Sequence, residues 1–194
     1  MSRTTVRRFA GLPTALRFSS FRATLALAFA AVLAGPAAGQ KITEVVSDHA
    51  GTDTHEFIEV YASPGASLES YTLVELDGAS GGDPGRILHV FTPTTANDAG
   101  FWSTRYLTST LERPAFTVLL VQGFTGSIGQ DLDLGDDGVL DVTPWSSRLD
   151  EVAFSDGSAG ARTYAAPALG PGFDGNPSTV GGASRFPYWR DTNT

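Results

Sequence analysis

A chain of 194 residues without cysteine has no disulfide framework, no thiol nucleophile and no N-terminal cysteine for a lipid anchor. It is long enough for one domain of ordinary size with a core of its own. A formal net charge of −8 repels phosphate backbones, so nucleic-acid binding would need a local basic patch, and none is legible among the scattered Arg86, Arg105, Arg113, Arg148, Arg162, Arg185 and Arg190.

The start of the chain differs from the rest. Residues 1–39 hold Arg3, Arg7, Arg8, Arg17 and Arg22 and no acid, followed by the apolar stretch Ala23–Leu33 and small residues at Ala34–Gly39. A positive start, a short apolar stretch and a small-residue site read as a secretory signal peptide, cleaved near Ala38–Gln40. The apolar stretch falls short of the ~20 residues a spanning helix needs, and Pro36 breaks any helix. An uncleaved anchor is the alternative. Arg7-Arg8-Phe9 also has a twin-arginine look, but a lone Arg pair favours the ordinary secretory route. The expected address is secreted or periplasmic, with no membrane span after leader removal. Removing five of the 13 basic residues and none of the 21 acids leaves about −13.

From residue 40 onward the chain alternates strand-like runs with turn residues. Lys41–Ser47 and Glu56–Ala62 are rich in Val, Ile, Thr, Phe and Tyr and predict two strands joined by the polar loop Asp48–His55. Alternation places Ile58 and Val60 on one face and Phe57, Glu59 and Tyr61 on the other. Ser63–Ala66 is a turn, Tyr71–Leu76 a strand, Gly78–Gly85 a loop and Arg86–Phe91 a strand. A short strand is expected around Trp102–Leu107, with a helical turn as the alternative. Phe116–Val121 is continuously apolar, the mark of a central strand buried on both faces. Val139–Val142 and Leu149–Phe154 predict a late strand pair joined through Thr143-Pro144-Trp145. After Gly157 the texture turns Gly- and Pro-rich, with a strand-like scrap at Arg162–Tyr164, which predicts an irregular segment, residues 157–194, packed on or trailing a sandwich of residues 40–156. Strand runs spaced by Gly/Pro turns, without a long helix, give an all-β, immunoglobulin-like β-sandwich.

The stretch ITEVVSDHAGTDTHEFIEVYASPGASLESYTLVEL resembles the opening of a lamin tail domain, in the form found in secreted bacterial proteins. The shared pattern is a strand ending in an acidic loop (Ile42–Val46), a Glu-Phe-Ile-Glu strand (Glu56–Tyr61), a small-residue turn (Ser63–Ser67) and a Leu-x-x-Tyr-x-Leu strand (Leu68–Leu73). The likeness runs more loosely through Leu140–Phe154 to Ala183-Ser184-Arg185. It implies a non-catalytic sandwich of a kind that accompanies nucleases and other secreted enzymes. Sequences of that type continue past Ala-Ser-Arg to a further aromatic, so the last edge here is expected to be incomplete.

Two groups of residues suggest chemistry. Asp131, Asp133, Asp136, Asp137 and Asp141 crowd into eleven residues, and calcium would relieve their repulsion. Asp131, Asp133, Asp137 and Asp141 are the candidate ligands, yet Gly135 replaces the second acid of an Asp-x-Asp-x-Asp-Gly loop and Pro144 stands where the bidentate Glu belongs. A solvated acidic turn is the competing reading. His49, Asp53, His55 and Glu56 could hold a transition metal, but their spacing fits no helix-borne motif and His55 and Glu56 face opposite ways. Glu56 and Glu59 likewise lie on opposite faces and cannot flank one bond. No nucleophile elbow or phosphate-binding Gly loop is present. Trp102, Trp145, Tyr188 and Trp189 could stack on sugars or a protein, though core anchoring is the commoner use. The expected function is a secreted, non-catalytic module for an unknown protein or envelope component. A calcium-dependent surface or carbohydrate-binding adhesin, and a metal-dependent hydrolase or nuclease or an accessory domain of one, are the alternatives.

Overall fold

The computed structural model describes residues 39–49, 51–111, 114–173 and 179–187. The leader, apart from Gly39, lies outside them, as do Tyr188 and Trp189.

β1 (Lys41–Val46) and β2 (Phe57–Tyr61) pair antiparallel, as their composition predicts. A bulge between Ile42 and Glu44 shifts the register, so Ile42 and Val45, three residues apart, both turn into the core. Ile58 and Val60 join them, while Phe57, Glu59 and Tyr61 are half-buried on the other face. β5 (Phe101–Ser103) flanks β2 and β9 (Gly182–Ser184) flanks β1, giving the order β5-β2-β1-β9.

The second sheet has the order β4-β3-β6-β7-β8, from β3 (Tyr71–Asp77), β4 (Ile87–Phe91), β6 (Phe116–Gln122), β7 (Ser147–Phe154) and β8 (Ala168–Leu169). Its pairings are antiparallel except β7 with β8. The two sheets face each other as a β-sandwich around one core. Ile42, Val45, Ile58 and Val60 meet Leu73, Val118, Leu120 and Val152 there, and the rings of Phe116 and Phe154 stack 4.6 Å apart.

The second sheet is covered on its outer face as well. Val74, Leu76, Ile87, Leu119 and Val121 form a second cluster with Leu132 and Tyr164, roofed by Phe124, Leu140, Val142 and Trp145. This double burial explains the continuous apolar run: all of Phe116–Val121 is buried, with alternate residues feeding the two clusters.

Three expectations are corrected. Val139–Val142 is no strand: the amides of Asp141 and Val142 both bond to the Leu132 carbonyl, and Leu140 and Val142 are apolar because they roof the outer cluster. β7 pairs with β6 and β8 instead. Arg162–Tyr164 is also irregular, its amides donating to the Gly78 carbonyl and the Thr117 hydroxyl. The strand expected around Trp102–Leu107 shrinks to Phe101–Ser103, with one further bridge between Leu107 and Glu56. After Gly157 the chain supplies an edge strand to each sheet, β8 and β9.

Candidate functional site

In the acidic turn, Asp133 is fully buried. Its Oδ1 accepts the Asp137 amide at 3.1 Å, and its Oδ2 accepts the Gly138 amide and the Tyr164 hydroxyl, each at 2.8 Å. Asp136 (φ 52°) and Gly138 (φ 90°) adopt left-handed backbone that bends the turn around this carboxylate. Gly85 (φ 85°) lies against it from β4's side, where an added Cβ would meet the Asp133 Cβ at 2.5 Å. The neighbouring acids hold amides of their own: Asp131 that of Asp133 at 3.0 Å, Asp137 that of Val139 at 2.9 Å, and Asp141 that of Leu134 at 2.8 Å. The four candidate calcium ligands are therefore spread along a turn, each occupied by backbone. Among the described residues no three His, Cys, Asp or Glu side chains gather where they could hold a metal ion. Burial pushes the Asp133 carboxyl up, but the Tyr164 hydroxyl and the amides of Gly138, Asp137 and Gly135 outweigh it and hold the group below the usual carboxylate range. Burial and the bond to Asp133 drive the Tyr164 phenol far above its ordinary value.

The first loop is closed by the His49 amide donating to Asp53 at 3.0 Å and the Thr54 amide donating to His49 Nε2 at 3.1 Å. The His49 and His55 rings meet edge to face, 5.6 Å apart, and His55 packs on Tyr106. Glu56 is buried, whereas His55 beside it is exposed. Its Oε2 accepts the amides of Thr110 at 2.6 Å and Leu111 at 3.0 Å, and its Oε1 has no hydrogen-bond partner among the described residues.

Two other acid sites had no prominence in the sequence. On the outer face of the first sheet, Glu44 and Glu59 stand directly opposite across β1 and β2. They line a hollow of about 500 Å³ with Phe57, Arg105 and Tyr106. The Thr43 hydroxyl donates to Glu59 at 2.9 Å, yet burial, helped by the Glu44 charge, raises the Glu59 carboxyl. The bulge that offsets Glu44 from Ile42 brings the two acids level, so strand parity alone could not find the pair.

The other site is the seam where the sheets meet. Asp150 sits on the core face of β7, two residues before Val152, and only 2% of its surface is exposed. It accepts the Ile42 amide at 2.7 Å and two bonds from Arg185 at 3.0 and 3.1 Å, with Lys41 at 3.9 Å. Arg185 also donates to the Ile42 carbonyl at 3.0 Å, and its own amide donates to the Thr43 carbonyl at 2.7 Å. β9 reaches only as far as Glu44 on β1, so Asp150 and Arg185 complete the edge that β9 leaves open. Burial raises the Asp150 carboxyl despite Arg185, the Ile42 amide and Lys41. Parity offered the signal: Asp150 shares its face with Val152 and Phe154.

Beside this ion pair a cavity of about 340 Å³ opens between β1–β9 and β7–β8. Ile42, Val45, Val152, Phe154, Leu169 and Ala183 line it, and Phe173 and Phe186 stand at its rim, 61% and 94% exposed. Trp102 packs on the inner core and Trp145 on the outer cluster. Comparison with protein-family models, with curated proteins and with solved structures finds no match to this chain.

Proposed function

We propose that this chain is an exported, non-catalytic β-sandwich module of lamin-tail type that binds a protein or cell-envelope component. One observation carries the reading. The buried acids Asp133, Asp150 and Glu56 hold backbone amides at three separate places, whereas the hollow between the sheets is lined mostly by apolar side chains. Apolar concavity with few polar groups is the usual character of a binding site, and a general acid or base must instead reach a substrate proton. The test is co-sedimentation of the purified full chain with isolated cell envelopes, alongside fractionation of the producing cells. Saturable binding that withstands a chelator is expected. Retention in the cytoplasm, or sedimentation that never saturates, overturns the reading.

A second reading, a secreted hydrolase, has the Glu44–Glu59 pair in its favour. Two carboxylates side by side, one raised by burial, are what acid–base hydrolysis uses. Turnover of a polysaccharide panel, lost in both Glu44→Gln and Glu59→Gln while the melt is unchanged, would replace the first reading.

A further inference from the structure

The fold needs the chain from Lys41 onward. Lys41 opens β1, pairs with Tyr61 and is itself buried, and the next amide, that of Ile42, donates to Asp150 at 2.7 Å. Gly39 stands outside this frame: it is exposed, and a Cβ added there would meet nothing within 4 Å, so its loss removes no packing. Gln40, between them, is half-buried, and its side chain has no hydrogen-bond partner among the described residues. Leader cleavage calls for small residues at the first and third places before the cut. A cut after Gly39 has Gly39 and Ala37 there, whereas a cut after Ala38 puts Pro36 at the third place. Of the cuts that meet the rule, the one after Gly39 falls nearest β1, and it makes Gln40 the first residue. An N-terminal glutamine carries its own nucleophile and electrophile. Near neutral pH part of any α-amine population is uncharged, and it reaches the Cδ carboxamide of the same residue through a five-membered ring. The bond from the α-nitrogen to Cδ forms, the Cδ–Nε2 bond breaks, and ammonia leaves with the proton given up by the attacking nitrogen. Nothing else is consumed, and the product, pyroglutamate, has no terminal charge. The neutral end suits its surroundings. Lys41 at 3.9 Å and Arg185 at 3.0 Å already stand around Asp150, and an ammonium one residue before Lys41 would join a group that is net positive.

We propose that the exported chain begins at Gln40 and that this residue is closed to pyroglutamate, which blocks the terminus to aminopeptidases. The inference rests on the exported-module reading and adds a modification site to it. The full precursor is produced in cells that export it, and the exported protein is taken at harvest for intact-mass and N-terminal peptide analysis. The expected mass is that of the chain from Gln40 less one ammonia. Its terminus should resist stepwise sequencing until a pyroglutamyl peptidase has removed the first residue. Gln40→Asn, whose shorter side chain cannot close the five-membered ring, should show the same cut, a free amine and no loss of ammonia. An aminopeptidase should then take the first residue from this variant and none from the parent. If Gln40→Asn moves the cut, the parent's mass alone decides. A free Gln40 amine at harvest, or a chain starting at Ala38 or Gly39, overturns this inference and leaves export standing. Met1 retained on a cytoplasmic product overturns the exported reading itself.

Discussion

Asp133 and Asp150 are both closed off from solvent, at 0% and 2% exposure, but Asp150 lies far deeper, between the sheets, and the two carboxyls shift in opposite directions. Asp133 lies under a loop that wraps its own amides around the carboxylate and adds the Tyr164 hydroxyl, and these donors overcome burial. Asp150 lies between two sheets whose amides are largely committed to ladders, so the amides of Ile42 and Glu151 and two cations serve, and burial prevails. Depth separates the two: the shallow Asp133 meets a desolvation cost that its donors exceed, whereas the deep Asp150 meets one that its partners, among them a guanidinium itself stripped of water, do not. The first group belongs to a turn that could fold around an anion; the second is a clasp between sheets.

Removing one half of the clasp tests the difference most severely. Arg185→Met strands the Asp150 charge and the Ile42 carbonyl, and should cost about 3–5 kcal/mol at neutral pH in a denaturant titration. The raised Asp150 carboxyl contributes most when protonated, and that contribution is lost as pH rises through its raised folded value. The Arg185→Met penalty should therefore shrink as pH falls through that raised value. A penalty under about 1 kcal/mol, or one that ignores pH, breaks the comparison.

Next in size is Asp133→Ala, which leaves the Asp137 and Gly138 amides and the Tyr164 hydroxyl without their acceptor, at about 3 kcal/mol. Here the sign is reversed. The lowered Asp133 carboxyl contributes above the ordinary carboxylate value, and the contribution is lost as pH falls through the folded value. The Asp133→Ala penalty should hold steady down to pH ~4 and shrink only below it. Shrinkage in the same window as Arg185→Met would mean that the two sites do not differ.

A smaller effect is expected when the clasp is neutralised as a pair. Asp150→Asn/Arg185→Met keeps an oxygen for the Ile42 amide and should stand within about 1 kcal/mol of the parent, far above the sum of its single variants in a double-mutant cycle. Additive losses would make the charges, and not their mutual burial, the source of stability.

The smallest expected effect concerns calcium. The Asp133 oxygens already accept three hydrogen bonds, so millimolar calcium should move the melting temperature by less than about 1 °C relative to chelator, where 1 kcal/mol would move it ~2–4 °C. A rise of several degrees that disappears in Asp133→Ala would return the ion to this turn.

The sequence by itself determined the strands whose side chains report their surroundings residue by residue. Ile58 and Val60 alternate with Phe57 and Glu59 because one face is core, and Phe116–Val121 is unbroken because both faces are. It also misled at Leu140 and Val142, since burial beneath a roof and burial in a strand select the same apolar residues. β8 and β9, of two and three residues, hold too few side chains to show any period, and they exist because β7 and β1 offer them open edges. Parity marks Asp150 as core-facing, but its partners were equally illegible, for the bonds of Asp150 and Arg185 to Ile42 span 108 and 143 residues of chain. Local patterning settles which face of a strand is buried. Which distant charge meets which amide is decided only when two sheets close over each other and leave those groups no water to turn to.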